Sequence, residues 1–345
     1  MSKEVKVLWL SQEEVIKAGA SDMDLVLNQV RKVNKWLVEG KVNEANLLRV
    51  TWDKKLGGSR KIGIHGAIID SEEMQIAGVK SIPANPANPK KYGMPRSNGL
   101  LTLYDFETGL PLCVMDDKIV SDSRTGAGSA LGAEYGANPD SKILGLVGCG
   151  PIQDAHILAT SKVMHNIEIC RIYDINPQKA ETFAKKWSKL GYKFEIVNSC
   201  PDAIADADIA YTCTSGIAVG DEYIPAEWVK KGSFHSPGSI WDYKPETVVN
   251  AFNKYGMDFV GRLEDRGFPF ADLTAEGKLR RDQIAVMGNI LLGKEKLRTS
   301  PSDTIYYETL GICATDIAIN YVVYHRAKEM GLGTDVYLWH EPAYF

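Results

Sequence analysis

The chain has 345 residues, 44% of them hydrophobic, and because a single core stops growing at about 250–300 residues, two domains are expected. A formal net charge of −4 provides no basic field for nucleic acid or an anionic membrane surface, so neither is expected as a partner. The first apolar run, in MSKEVKVLWLSQEEV, is too short for a signal sequence or a membrane span, and a cytoplasmic protein is expected.

The first part of the chain predicts an α+β domain. An amphipathic helix is expected over residues 23–39, and strands are expected in KIGIHGAII, IAGVKSI and GLLTLYD. Turn sequences such as ETGLP and PANPANPKKYGMP separate these strands, which is typical of an antiparallel or mixed sheet.

The middle of the chain predicts a different architecture. From residue 143 to residue 211, short apolar strands alternate with helical segments, beginning with KILGLVG, a helix over 152–163 and IEICRIYD. This order predicts an α/β domain with a Rossmann-type, doubly wound parallel sheet. A last helix over residues 311–330 is expected to return to the N-terminal domain and complete it. The predicted division is therefore 1–124 with 312–345, and 125–311.

The cysteines give no sign of a metal site or a disulfide framework. They lie in apolar surroundings and include no C-x-x-C pair, so reduced, packed thiols are expected and no metal. The six positions are Cys113, Cys149, Cys170, Cys200, Cys213 and Cys313.

The stretch VGCGPIQDAHILA predicts a turn that binds a dinucleotide. Gly148 and Gly150 follow a predicted strand and open a predicted helix, whose first turn holds Pro151, Ile152 and Gln153. The first glycine permits the tight turn, and the second lets the backbone approach a pyrophosphate at the helix N-terminus. Gln153 occupies the place of the third glycine of the fingerprint, and a plain strand-to-helix turn is the alternative. These five residues are predicted to bind the cofactor.

The ends of the neighbouring strands add to this site. Asp174 ends the next predicted strand, where an acid accepts hydrogen bonds from both ribose hydroxyls, and this favours NAD over NADP. The alternative is that Asp174 caps the following helix. Thr212, Thr214 and Ser215, at the tip of the third strand, are predicted to line the same crevice on the nicotinamide side, although such residues also form turns.

Four motifs, in this order, resemble the ornithine cyclodeaminase/mu-crystallin family. They are G-x-K ending at Lys80, ETGLPL at 107–112, SRTGAGSALGAEY at 123–135 and GCGPIQ from Gly148. The resemblance implies a homodimer in which residues 1–124 with 312–345 hold an amino-acid substrate and dimerise, while residues 125–311 bind NAD(H) or NADP(H). It also implies hydride transfer at a carbon bonded to nitrogen, through an imine.

The resemblance also implies which residues hold the substrate. Lys80 and Arg124 match the family residues at the substrate carboxylate, and Arg49 matches a further arginine less closely. A guanidinium grips a carboxylate with two hydrogen bonds, and an ammonium adds a point charge. Solvated surface charges are the alternative for all three. Arg96, in GMPRSNG, is predicted to clamp a second carboxylate.

One segment, HSPGSIWDYKPETV, departs from the family pattern. Cyclodeaminases of this family carry a catalytic aspartate where the ungapped match places Ile240, and Asp242 is the nearest acid. Asp242 is therefore predicted, together with Lys80, as a catalytic residue, the alternative being a helix cap. His65 and His235 are expected to be structural, His65 being the better candidate for a base.

These features predict an NAD-dependent, opine-like amino-acid dehydrogenase that acts on the C–N bond of an amino acid or an N-carboxyalkyl conjugate. The pattern around Asp242 is most similar to the subgroup of N-(2-amino-2-carboxyethyl)-glutamate dehydrogenases of diaminopropionate synthesis. Three alternatives stay open. They are a cyclodeaminase that recycles its NAD, a ketimine reductase, and a non-catalytic NAD(H)-binding protein of the crystallin kind.

Overall fold

The structure is a computed structural model that describes residues 4–52, 60–215, 217, 220–264 and 267–343. The chain divides into two compact units. The first unit comprises Met1–Ser121 and Ile312–Phe345, and the second comprises Asp122–Gly311. Among the described residues, no helix is both long and apolar enough to span a bilayer.

The described residues form strands and helices with the following bounds. In chain order the strands are β1 (Val5–Leu10), β2 (Val42–Glu44), β3 (Leu48–Thr51), β4 (Lys61–Asp70), β5 (Gln75–Ala84), β6 (Leu100–Tyr104), β7 (Pro111–Asp116), β8 (Ile143–Val147), β9 (Ile169–Tyr173), β10 (Lys193–Ile196), β11 (Ile209–Thr212), β12 (Phe234–Pro237), β13 (Lys254–Met257), β14 (Ile284–Val286), β15 (Ile305–Glu308) and β16 (Thr334–Trp339). The α-helices are α1 (Gln12–Lys17), α2 (Met23–Val38), α3 (Asn88–Tyr92), α4 (Lys118–Gly136), α5 (Pro151–Val163), α6 (Pro177–Trp187), α7 (Cys200–Ile204), α8 (Pro245–Ala251), α9 (Pro269–Ala275), α10 (Met287–Leu291) and α11 (Cys313–Glu329).

The first unit is built on a mixed sheet, as the turn sequences predict. Its strand order is β16-β1-β7-β6-β5-β4-β2, with β3 also paired to β4. Only β1 and β7 run parallel among these neighbours, and the other pairs are antiparallel. The last helix, α11, packs against α2, β4 and β5 and so completes this unit, as expected. The aromatic tail that follows α11 forms β16, which pairs with β1 at the edge of the sheet.

The early helix α2 forms because its sequence supplies both a cap and an apolar face. The Asp22 side chain accepts hydrogen bonds from the backbone N–H groups of Asp24 and Leu25 and thereby caps the first turn. Val26, Val30 and Val33 recur at helical spacing and are buried. The helix therefore covers the core of the first unit with one face.

The second unit has the predicted doubly wound sheet. Its strand order is β10-β9-β8-β11-β12-β15-β13-β14, and every neighbouring pair is parallel. The order reverses beside β8, and ligands of such sheets bind at this kind of switch point, outside the carboxyl ends of the strands. The glycine loop after β8 therefore stands at the edge where a ligand is expected.

The small residues of SRTGAGSALGAEY allow close helix packing inside the second unit. A Cβ on Gly126 of α4 would lie 2.4 Å from the carbonyl carbon of Ala155 in α5, which leaves room for no side chain. A Cβ on Gly132 would lie 2.5 Å from the Tyr307 ring. The motif therefore brings α4 against both α5 and the sheet of this unit.

Candidate active site

The loop between β8 and α5 has the geometry of a phosphate-binding turn. Gly148 has a φ of +85°, and a Cβ there would lie 2.5 Å from the carbonyl oxygen of Cys213, so only glycine fits. Gly150 is the N-cap of α5 and provides no side-chain cap, while a Cβ added to it meets nothing within 4 Å. Open space therefore lies beside a helix N-terminus, where an anionic group is stabilised.

Asp174 is tied to this loop. Its Oδ2 accepts the backbone N–H of Cys149 at 2.8 Å, and its Oδ1 accepts that of Asn176 at 2.8 Å. The cap of α6 is Asn176, whose side chain accepts the N–H of Gln178. Asp174 is therefore held beside the glycine loop and is not the helix cap that was its alternative.

Two of the predicted cofactor ligands have side chains that face the interior. Gln153 is fully buried, its Nε2 donates to the carbonyl oxygen of Tyr211 at 3.2 Å, and its Oε1 lies 3.1 Å from Nδ1 of His156. Thr212 is also fully buried, and among the described residues its hydroxyl has no partner. The prediction that these two side chains contact the cofactor is therefore wrong. The Gln153 side chain faces the sheet, and Thr212 is a buried residue of β11. Pro151 is exposed, Ile152 is half-buried, and Ser215 is exposed.

Asp242 anchors two hydroxyls at the carboxyl ends of β11 and β12. Thr214 Oγ1 donates to its Oδ1 and Ser239 Oγ donates to its Oδ2. The Asp242 side chain is fully buried, whereas Thr214 and Ser239 are only partly buried. Asp242 is not a helix cap, because α8 begins at Pro245 with Lys244 as its N-cap. The buried carboxylate therefore orients these two partly buried hydroxyls and reaches groups outside the interior only through them.

Ile240, which the sequence match predicts at the family's aspartate position, has an unusual backbone. Its φ is +69°, and it is the only non-glycine residue among those described with a positive φ. It is the central residue of a three-residue turn in which the N–H of Trp241 donates to the carbonyl oxygen of Ser239 at 2.8 Å. Such a conformation of a β-branched residue costs about 1–3 kcal/mol and is typical of functional loops.

His235 is structural, as expected. Its Nε2 lies 2.8 Å from the hydroxyl of Ser233, and its Nδ1 lies 2.7 Å from that of Tyr243. Burial lowers the pKa of His235 to about 3, so the ring is neutral at pH 7 and both ring nitrogens are used within the second unit.

Lys80 belongs to the first unit, but its side chain is buried there, which the sequence did not predict. Its ammonium is 2.6 Å from Oδ1 of Asp316, 2.9 Å from Oδ2 of Asp117 and 3.2 Å from the hydroxyl of Ser121. Only 1% of the Lys80 side chain is exposed, and Asn320 Nδ2 donates to Oδ1 of Asp117 at 2.6 Å. All three ammonium donors thus have partners in the unit, and the predicted direct contact with a substrate carboxylate requires one of them to be exchanged.

Arg49 and Arg96 are brought together with a lysine that sequence reasoning missed. Lys61 is half-buried at the start of β4. Burial lowers the pKa of Lys61, and the positive charges of Arg49 and Arg96 lower it further. The signal that could have found Lys61 was the alternation along KIGIHGAII, which places Lys61 on the same face of β4 as His65. His65 pairs with Lys80 of β5, so Lys61 shares a sheet face with a predicted substrate ligand.

Arg124 lies in the second unit, next to the turn that ends it. A Cβ on Gly311 would be 2.6 Å from a guanidinium nitrogen of Arg124. Asp258 accepts the N–H groups of Leu310 at 3.2 Å and Gly311 at 3.3 Å. Burial raises the pKa of Asp258, and the two N–H groups and the charge of Arg124 oppose that rise.

The cysteines are free thiols, and no group of three or more metal-binding side chains occurs in the described ranges.

Comparison with known proteins places this geometry in a family. The family model described as "Ornithine cyclodeaminase/mu-crystallin family" matches residues 59–331. The chain is 27% identical over 270 residues to N-((2S)-2-amino-2-carboxyethyl)-L-glutamate dehydrogenase of Staphylococcus aureus, covering 77% of this chain and 79% of that protein. It is 26% identical over 336 residues to alanine dehydrogenase of Archaeoglobus fulgidus, covering 96% and 98%.

A solved structure shows the same fold over almost the whole chain. Δ1-pyrroline-2-carboxylate reductase of Thermococcus litoralis, in complex with NADH and L-proline, superposes with a TM-score of 0.86 at 26% identity, covering 96% of this chain and 100% of that one. One conclusion follows from the glycine loop, its place at the carboxyl edge of a doubly wound sheet and the family match over most of the chain. The chain belongs to the ornithine cyclodeaminase/mu-crystallin family.

Proposed function

We propose that this protein is an NAD-dependent oxidoreductase that acts on the C–N bond of an amino acid or an N-carboxyalkyl amino-acid conjugate through an imine. The observation that carries the proposal is the glycine loop with Asp174 tied to it through the N–H of Cys149. The relatives named above are dehydrogenases and a reductase of amino acids and cyclic imines, which supports the same class of reaction.

The residues of the second unit fit NAD. The open space at Gly150 accommodates a pyrophosphate at the N-terminus of α5, beside Pro151 and Ile152. Each Asp174 oxygen accepts one backbone N–H and keeps a second lone pair for a ribose hydroxyl, whereas a 2′-phosphate there would meet a negative charge. Bound NAD supplies the hydride acceptor, and the chain supplies position and charge.

The hydroxyls of Thr214 and Ser239, held by Asp242, are the polar groups that we assign to the reacting end of the cofactor. Asp242 orients them, and it stays our candidate for the proton of the substrate amine, acting through Ser239. Ile240 carries no proton, so the aspartate that cyclodeaminases place there has no equivalent at that position. This difference favours net oxidation or reduction over cyclodeamination. The residues proposed to bind substrate carboxylates stay the same, namely Lys80, Arg49, Arg96 and Arg124.

The function is tested by NADH absorbance with a panel of amino acids, N-carboxyalkyl conjugates, and 2-oxo acids mixed with amines. We expect net formation of NADH with an amine substrate, or net consumption in the reverse direction. Ammonia release from ornithine without net NADH would instead show a cyclodeaminase. NADH binding without turnover of any member of the panel would show a non-catalytic protein.

We also propose that the protein is a homodimer formed through the outer face of the first unit's sheet, opposite α11. Large apolar side chains are exposed along this face, among them Trp9 at 45%, Leu100 at 45% and Val336 at 52%. The register places them on one side of β1, β6 and β16. A contiguous apolar face of this extent is typical of a protein interface, and a second copy covers it with a matching surface.

Introducing a charge into this face should break the dimer. Val79→Lys places an ammonium on the face in β5, at a side chain that is 41% exposed, and should shift the mass measured by light scattering from two chains to one. Ile196→Lys is the matched control, because Ile196 is 45% exposed on β10 of the second unit. A monomeric wild type, or a Val79→Lys variant that stays dimeric, would contradict the proposal.

A further inference from the structure

Helix α4 packs on strand β15 of the second unit in a regular register. A Cβ on Gly132 of α4 would lie 2.5 Å from the Tyr307 ring. One turn earlier in the helix, a Cβ on Gly128 would lie 2.8 Å from Cγ2 of Thr309. Four residues of a helix span about 6 Å and two residues of a strand span about 6.6 Å, so each turn of α4 matches two residues of β15 and of the chain that follows it.

The next step of this register brings Arg124 against Gly311. A Cβ on Gly311 would lie 2.6 Å from one guanidinium nitrogen of Arg124 and 3.1 Å from Cζ, so the guanidinium fills the place that a side chain would take. In the two earlier steps the glycine belongs to the helix, whereas here it belongs to the turn after the strand. Gly311 also has a φ of +80°, which favours glycine. The turn thus provides the space in which the guanidinium lies.

Asp258 fixes the backbone of this turn. It directly follows β13, the parallel neighbour of β15, so it stands at the same edge of the sheet as the turn. Its buried carboxylate accepts the N–H groups of Leu310 at 3.2 Å and Gly311 at 3.3 Å. On the other side of the peptide chain, the buried Arg262 donates from Nη2 to the carbonyl oxygen of Gly311 at 3.4 Å. The N–H and the carbonyl oxygen of Gly311 are therefore both bonded to buried charged side chains.

The charge of Asp258 also acts on Arg124. Burial raises the pKa of Asp258, and the positive charge of Arg124 is among the influences that lower it. The same attraction favours the charged form of the guanidinium. Asp258 therefore affects Arg124 in two ways, through the turn that shapes its space and through an opposite charge.

We propose that Asp258 and Gly311 are positioning residues for Arg124 and set the place at which its guanidinium meets the substrate carboxylate. This inference rests on the proposed function, in which Arg124 is a carboxylate ligand. A planar guanidinium forms two hydrogen bonds with a carboxylate only when it is correctly placed, and a displacement of about 1 Å is enough to weaken such an arrangement. Both residues act through Arg124 and require no contact with the substrate.

The test uses two variants, each with a matched control, in the full-length protein. Gly311→Ala places a Cβ where the guanidinium lies. Gly277→Ala is its control, because Gly277 has a φ of +71° but a Cβ there would meet no atom of the described residues within 4 Å. Asp258→Asn keeps the size of the side chain and removes its charge. Asp303→Asn is its control, because Asp303 is also buried and accepts two backbone N–H groups, in the loop before β15.

Two readouts separate the position of the guanidinium from general stability. Steady-state kinetics with NADH, a 2-oxo acid and an amine give KM and kcat, and protein fluorescence gives the Kd for NADH. Each variant is also made in an Arg124→Met background, which completes a double-mutant cycle. The rate at which phenylglyoxal modifies Arg124, followed by mass spectrometry of peptides, reports on the guanidinium without requiring turnover.

We expect Gly311→Ala and Asp258→Asn to raise the KM for the 2-oxo acid by about tenfold or more, the usual effect of weakening a charged hydrogen bond, while kcat and the Kd for NADH change much less. Neither should raise the KM further in the Arg124→Met background, and both controls should stay close to the wild type. Asp258→Asn should also speed the modification of Arg124 by at least about threefold, because the guanidinium loses a negative charge beside it.

An unchanged KM in either variant of an active enzyme overturns the proposal. An equal rise in the Arg124→Met background or in the controls also overturns it, because the effect would then not pass through Arg124. If no 2-oxo acid is turned over while Asp258→Asn still speeds the modification of Arg124, the proposed function fails and the positioning of Arg124 by Asp258 stands.

Discussion

Replacing Lys80 with methionine is expected to lower the free energy of unfolding by about 3–5 kcal/mol, the usual cost of removing one partner from a buried ion pair. The reason is that the variant removes the ammonium that lies between the carboxylates of Asp117 and Asp316, which are 0% and 1% exposed. The midpoint of urea unfolding, followed by circular dichroism, measures the loss.

Two further variants separate this cause from lost packing. Lys6→Met removes an exposed cation of the same sheet and should change stability by no measurable amount. Adding Asp316→Leu to Lys80→Met removes one of the two buried carboxylates that Lys80 contacts and should recover part of the loss, because a coupled pair is not additive. A Lys80→Met protein as stable as the wild type would mean that the buried charge cluster does not stabilise the unit.

Substituting alanine at either glycine of the loop after β8 is expected to weaken NADH binding, for two different reasons. Gly148→Ala places a Cβ 2.5 Å from the carbonyl oxygen of Cys213 at a φ of +85°, so the loop must shift and the protein loses stability as well. Gly150→Ala projects a Cβ into open space and strains nothing, but it occupies the volume assigned to the pyrophosphate.

The two variants should therefore differ in stability and agree in cofactor affinity. We expect both to raise the Kd for NADH by at least about tenfold, which corresponds to roughly 1.4 kcal/mol, as measured by quenching of protein fluorescence. Gly148→Ala should lower the unfolding temperature more than Gly150→Ala, because only Gly148 combines a positive φ with a blocked Cβ position, whereas Gly150→Ala costs a weaker N-cap alone. Unchanged NADH affinity in Gly150→Ala would remove the cofactor from this loop.

The part of the fold that can be predicted is the part that local sequence patterns determine. The alternation of strands and helices between residues 143 and 211 is enough to predict a doubly wound sheet, because right-handed crossovers leave few other arrangements. The last strand of the first unit was beyond such reasoning. β16 pairs with β1 at the opposite end of the chain, and no local signal encodes that contact.

The site shows the same division. Gly148, Gly150 and Asp174 are predictable because a tight turn and a strand end demand particular residue types. In the structure Asp174 accepts the N–H of Cys149, which lies between the two glycines. The burial of Lys80 was not predictable, since its partner Asp316 lies 236 residues away. Gln153 was misjudged because a sequence position in a fingerprint does not reveal which way the side chain turns. Lys61 was missed because a lysine alternating with apolar residues usually faces solvent.

The most direct test of the central claim follows the hydride itself. The protein is incubated with NADH in which both hydrogens at C4 of the nicotinamide are deuterium, with a 2-oxo acid and an amine, and the product is analysed by mass spectrometry and NMR. The proposed reaction predicts a secondary or primary amine with deuterium on the carbon that was the oxo carbon and is now bonded to nitrogen. Deuterium in a 2-hydroxy acid, or an amine product formed without deuterium, would contradict hydride transfer to an imine.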